Sequence, residues 1–135
     1  MNVRIRNQRA ELNALLQAVE QFAARHRLSA VIESALLLAV EESFVNIITH
    51  GGADGREHEV SVSLQIAGGE VEVAVRDDGP PFNPLDLPPP DTSVPLRQRA
   101  LGGLGIHLLR RTMDSIEYRR DGSENVLTMR KRWRE

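Results

Sequence analysis

Apolar residues recur at a helical period between residues 11 and 26, where Leu12, Leu15, Leu16, Val19, Phe22 and Ala23 are separated by Glu, Gln and Arg. That period predicts an amphipathic helix. Ser29 is placed to cap a second helix from about Ala30 to His50, with Glu33 near its positive end. The second helix carries two stripes. One holds Val40, Phe44, Ile47 and Ile48, while the other runs Ile32, Ala35, Ala39 and then, at unbroken spacing, Glu42, Asn46 and Thr49. Gly51-Gly52 predicts its end. The period then shortens to that of strands. Val60, Val62, Leu64 and Ile66 alternate with polar residues, as do Val71, Val73 and Val75, and Gly68-Gly69 between the runs predicts a hairpin. A second hairpin is predicted where SIEYRR and NVLTMRKRW flank Asp121-Gly122, with Trp133 near its end. The opening MNVRIRNQRAEL shows only a polar alternation.

Between the hairpins the pattern breaks. All seven prolines fall between Pro80 and Pro95. Proline fixes φ and lacks an N–H, so this stretch is irregular, either a functional lid or a disordered segment. It leads into LGGLGIHLLRRTM, where Gly102, Gly103 and Gly105 open a third helix carrying Leu104, Ile106, Leu108, Leu109 and Met113. The expected product is an α+β two-layer sandwich with a mixed, mostly antiparallel sheet, one face under helices and the other wet.

Composition narrows the function classes. A chain of 135 residues fits one domain, residues 1–135. With no cysteine, neither disulfides nor thiolate metal sites are available. A net charge of −2 gives no bulk attraction for nucleic acid. The longest aliphatic run, ALLLAV, is far short of a membrane span, and no apolar export segment opens the chain. A cytoplasmic protein is expected.

Three groups of polar residues could carry chemistry, each with a bland alternative. Glycines at a helix start let unpaired N–H groups meet a phosphate, or merely give a flexible entry. The Walker pattern GxxxxGK[ST] does not occur, and a dinucleotide fingerprint would need a preceding strand. In AVRDDGPPF, parity with Val71, Val73 and Val75 places Asp77 on the buried face, where a carboxylate needs a donor such as an adenine amino group. Strand-end turn chemistry accounts for Asp78 and Gly79 and less well for Asp77. Glu42 and Asn46, at i and i+4, share one helix face. A carboxylate there could take a proton and an amide oxygen could ligate Mg²⁺, unless the helix simply emerges into water.

ExxxN at Glu42–Asn46 followed by His50-Gly51, DxG at Asp77–Gly79 and GGLGIHL at 102–108 together resemble the boxes of the Bergerat ATP-binding fold. EESFVNIITHGG, VRDDGPPFNP and GGLGIHLLRRTMDSIEY are similar, more narrowly, to the small serine kinases that act as anti-sigma factors in partner switching. The resemblance implies ATP and Mg²⁺ as ligands. Glu42 would be the general base toward a protein serine, and Asn46 would hold Mg²⁺. Asp77 would accept from adenine, with Gly79 making room and His50 lining the pocket. Gly102, Gly103, Leu104, Gly105 and Ile106 would approach the phosphates beside an ATP lid at residues 80–101. It also implies as partners an anti-sigma-factor antagonist, phosphorylated on serine, and a sigma factor or analogous regulator. A homodimer is within its range; a direct nucleic-acid or membrane partner is not.

Three positions depart from the pattern. Asn125 stands where a threonine is expected, Arg97 and Arg99 lie near the glycines without immediately preceding them, and Pro80-Pro81 replaces a glycine after the DxG. Two functions therefore compete: a kinase of the antagonist, or a nucleotide-loaded binding module with little catalysis. Glu42 favours the first, since a binder needs no base. A histidine-kinase catalytic domain is a third reading, but no dimerisation helix with a phosphoacceptor histidine precedes the boxes.

Overall fold

Five strands and three α-helices form in the computed structural model, which describes residues 1–51, 55–87 and 103–132. In chain order they are β1 (Asn2–Arg6), α1 (Leu12–Arg25), α2 (Ala30–Asn46), β2 (Glu59–Ala67), β3 (Glu70–Asp77), α3 (Gly103–Thr112), β4 (Ser115–Asp121) and β5 (Glu124–Arg132). Gly52, residues 88–101 of the expected lid with Arg97 and Arg99, Gly102 and Trp133 lie outside the described residues.

The sheet order is β1-β2-β3-β5-β4, and every described pairing is antiparallel. The expected mixed sheet is thus corrected. The connection through α3 does bring β4 parallel to β3, but β5 inserts between them and pairs antiparallel with both. At the β2–β3 turn Gly68 and Gly69 have φ of 60° and 78°, the left-handed values that a two-residue hairpin needs.

The helices cover one face. Val60, Val62 and Leu64 of β2, Val71, Val73 and Val75 of β3, and Leu127 and Met129 of β5 are buried. They form one core with Leu15, Val19 and Phe22 of α1, Leu36, Val40 and Phe44 of α2, and Ile106, Leu109 and Met113 of α3. Burying each such side chain contributes roughly 1.5–3 kcal/mol. The opposite face is polar, with surface ion pairs such as Arg130–Glu72 (3.3 Å) and Arg76–Asp121 (3.4 Å). Pairs of this kind contribute little.

Local chemistry sets the helix ends. The Ser29 hydroxyl accepts from the Ile32 N–H at 3.2 Å and caps α2. α1 ends in a Schellman turn: Leu28 N–H bonds to Ala23 O (3.0 Å) and Arg27 N–H to Ala24 O (3.2 Å), with Arg27 at φ 54°. α2 stops being regular at Asn46 and continues as a π turn over Ile47–Gly51. The helix expected to His50 is therefore present, but its last turn is widened. Such turns recur at functional sites.

β1 was not expected. Only Val3 and Ile5 face the core in it, opposite Val62 and Val60, and two apolar positions are too few to announce a strand. Its pairing with β2 supplies what its own sequence does not.

Candidate functional site

The C-terminal turns of α2, the end of β3 and the inward face of β4–β5 converge on a pocket. It is lined by Ser43, Asn46, Ile47, Val75, Asp77, Phe82, Pro84, Tyr118, Asn125 and Leu127. Its floor is apolar, and its polar groups stand at two ends.

At one end are α2 and the π turn. Asn46 is only 2% exposed, which excludes a helix simply emerging into water at this position. Neither its Oδ1 nor its Nδ2 has a hydrogen-bond partner among the described residues, and the same holds for His50 Nε2. An orphaned buried polar group costs about 1–3 kcal/mol. The His50 ring stacks on Phe82, with centroids 4.8 Å apart and an 18° tilt between planes. One helical turn before Asn46, Glu42 is half-buried. Burial, and secondarily the neighbouring Glu41 charge, pushes its carboxyl above the ordinary carboxylate value.

Gly105, in the first turn of α3, is buried against that carboxylate. A Cβ there would fall 2.5 Å from Glu42 Cδ and closer still to Oε2. The expectation for Gly105 was close approach to a phosphate; the approach seen is to Glu42. Gly103 and Leu104 begin α3, and Ile106, next to Gly105, is buried in the core. No group of three or more His, Asp or Glu among the described residues could cage a metal by itself. An ion held here would need ligands from a bound molecule, the habit of Mg²⁺ in phosphate sites.

The other end belongs to Asp77, 5% exposed on the core face of β3. Its Oδ1 accepts from Gly79 N–H (3.0 Å) and Asn125 Nδ2 (3.0 Å), so Oδ2 is the oxygen left for a further donor. Burial raises its pKa. The Asn125 and Gly79 bonds and the His58 ring pull it back, while the Asp78 charge adds slightly to the rise. Asp78 and Asp77 part company. Asp78 Oδ1 accepts from Glu59 N–H (3.2 Å) and meets His58 Nδ1 (3.0 Å), a structural role at the strand end.

Sequence reasoning did not find Tyr118, nor the ring partner of His50. The missing signal is register. Only the pairing of β3, β5 and β4, which sets Val75 opposite Leu127 and Leu127 opposite Tyr118, brings the tyrosine to the pocket.

The sequence pattern of the histidine kinase-like ATPase domain matches residues 5–131. The chain is 29% identical over 111 residues to the serine/threonine-protein kinase BtrW of Bordetella bronchiseptica, covering 82% of this chain and 78% of that one. It is 33% identical over 97 residues to the serine-protein kinase RsbW of Bacillus pumilus, covering 67% of this chain and 60% of the relative. The match to RsbW of Bacillus subtilis is 32% over 85 residues, 60% of this chain and 53% of that one. The chain thus spans between about half and four-fifths of these relatives. Its fold matches the crystal structure of the RsbU and RsbW domains of Rv1364c from Mycobacterium tuberculosis, with a TM-score of 0.65 at 14% identity, covering 98% of this chain and 32% of that one. No helix among the described residues is long and apolar enough to cross a membrane.

Proposed function

This chain belongs to the histidine kinase-like ATPase family, and we propose that it is a serine protein kinase of the anti-sigma kind, using Mg-ATP to phosphorylate an anti-sigma-factor antagonist. The observation that carries this reading is Asn46: an amide 2% exposed, with neither polar atom partnered among the described residues, one helical turn from a half-buried acid. A stable fold does not keep such a group without use, and an amide oxygen suits a hard cation. Bound Mg-ATP would supply the phosphoryl group and neutralise its developing charge.

The chain's own residues do the rest. Asp77 accepts from the exocyclic amine of the base, with Val75 and Leu127 beneath it. Asn46 offers its amide oxygen at the phosphate end, where His50 Nε2 is also free to bond. The α3 start, with Gly103, Leu104 and Gly105, brings unpaired N–H groups and the positive end of a helix dipole toward anionic oxygens. Glu42 takes the proton of the attacking serine hydroxyl; its raised pKa makes it a better acceptor than an ordinary surface carboxylate. The lid expected at residues 80–101, of which 88–101 lie outside the described residues, would keep water from the phosphoryl group. A sigma factor, or a regulator of that kind, is the second partner, and the switch between partners is the purpose of the phosphorylation.

The test is transfer itself. Incubating the chain with Mg-ATP and antagonist-like proteins encoded nearby should yield phosphoserine on the acceptor. Glu42→Ala should bind ATP normally and transfer about 10²–10⁴-fold more slowly. Transfer at the unaltered rate in that variant would refute the assignment of the base.

A further inference from the structure

Asn125 stands in β5 opposite Asp77 of β3 on one side and Arg120 of β4 on the other. Its amide nitrogen donates to Asp77 Oδ1 (3.0 Å) and to the Pro80 carbonyl (2.9 Å). Its amide oxygen accepts from the Phe82 N–H (3.2 Å), the Tyr118 hydroxyl (2.5 Å) and Arg120 Nη1 (3.2 Å). Arg120 Nη1 also donates to the Gly79 carbonyl at 2.8 Å. The orientation is over-determined: a flipped amide would set its oxygen against the Asp77 and Pro80 oxygens and its nitrogen against the Phe82 N–H and the Arg120 guanidinium.

Gly79, Pro80 and Phe82 are where the proline-rich segment leaves the sheet. One side chain therefore grips both the buried acid and the chain that departs beside it. A threonine at this place has a single O–H donor, which cannot serve Asp77 and Pro80 together. Phe82, held through its N–H by Asn125, stacks its ring on His50 of the π turn that follows Asn46. The network thus reaches from the base-reading acid to the phosphate end.

We infer that Asn125 is a positioning residue for nucleotide binding, which locks Asp77, Pro80 and Phe82 into one hydrogen-bonded unit, so that reading the base and placing Pro80 and Phe82 are coupled. This rests on Asp77 being the acceptor of the adenine amine. The coupling runs through Asp77 Oδ1: a ligand drawing on the carboxylate pulls on the amide that holds Pro80 and Phe82.

Asn125→Thr, which suits a strand and keeps the fold, and Asn125→Ala test this together. Two readouts matter: backbone hydrogen exchange at Phe82 without nucleotide, and calorimetric ATP binding between about pH 5 and 8. In both variants the Phe82 amide should exchange about tenfold faster and ATP should bind about tenfold more weakly. In Asn125→Ala, Asp77 also loses a donor that holds its proton off, so the loss of binding on acidification should begin at a higher pH than in the parent chain. A residue with a merely structural role would lower the melting temperature and leave that pH midpoint in place. Unchanged Phe82 exchange in either variant, or an unchanged pH midpoint in Asn125→Ala, overturns the inference. Asp77→Asn, measured alongside, separates the two layers. If it loses ATP binding while the Asn125 variants behave as the parent, only the inference fails. If it binds ATP normally, the reading of Asp77 fails and takes the inference with it.

Discussion

The two ends of the pocket treat buried polar atoms in opposite ways. At the Asp77 end every polar atom of the Asn125 amide is bonded, and the acid itself is held by two donors on one oxygen. At the Asn46 end an amide as deeply buried has no partner among the described residues, and Nε2 of His50 on the following π turn is in the same state. Both amides sit within a few per cent of full burial, so exposure does not explain the contrast. What differs is which groups the fold can bring near. β-sheet register delivers strand side chains and backbone carbonyls to Asn125. Asn46 stands on the last regular turn of α2, where its neighbours are Ser43, whose hydroxyl bonds to Ala39 O (2.6 Å), and the π turn. The first end is finished by the protein's own groups; at the second the proposed function leaves the Asn46 amide to bound Mg-ATP.

Variants can break or sharpen this contrast. The largest effect belongs to Glu42→Ala, which should remove two to four orders of magnitude of phosphoryl transfer while sparing affinity, as measured by phosphoserine formation beside calorimetry. Asp77→Asn attacks the finished end. It should weaken ATP binding about 10–100-fold, because a hydrogen bond to a charged acceptor contributes about 1.5–3 kcal/mol, and calorimetry reads it directly. Asn46→Leu attacks the unfinished end and should do something rarer: weaken nucleotide binding yet raise the stability of the free chain by about 1–2 kcal/mol, visible as a higher melting temperature. The same kind of exchange at Asn125 should lower stability. The smallest effect is a control remote from both ends: Arg27→Gly, at φ 54°, should stabilise by about 1 kcal/mol and leave ATP affinity unchanged.

Much of this was legible in the chain. The helical periods of α1 and α2, the Ser29 cap and both hairpin turns follow from local chemistry, and the structure has them where the periods put them. Asp77 was readable as buried by strand parity alone, because β3 alternates without a slip. Glu42 and Asn46 were readable as one helix face because i, i+4 spacing is short-range, and the three boxes together by their resemblance to the Bergerat ATP-binding fold. What depended on long-range pairing was not. β1 carries too few apolar residues to identify itself. The bonds of Asn125 to Asp77 and Tyr118 need the register of three strands, two of them separated from β3 by the proline-rich segment. The closeness of Gly105 to Glu42 depends on how α3 packs on α2, and no local spacing encodes that.

In the proposed function Asn46 is the amide that receives a nucleotide-bound cation. Calorimetric titration of ATP, with and without Mg²⁺, into the chain and into Asn46→Leu tests it most directly. The parent should bind ATP more tightly when Mg²⁺ is present, and the variant should lose that gain while remaining folded. A parent chain that ignores ATP with metal present, or a variant that keeps the full Mg²⁺ gain, would contradict it.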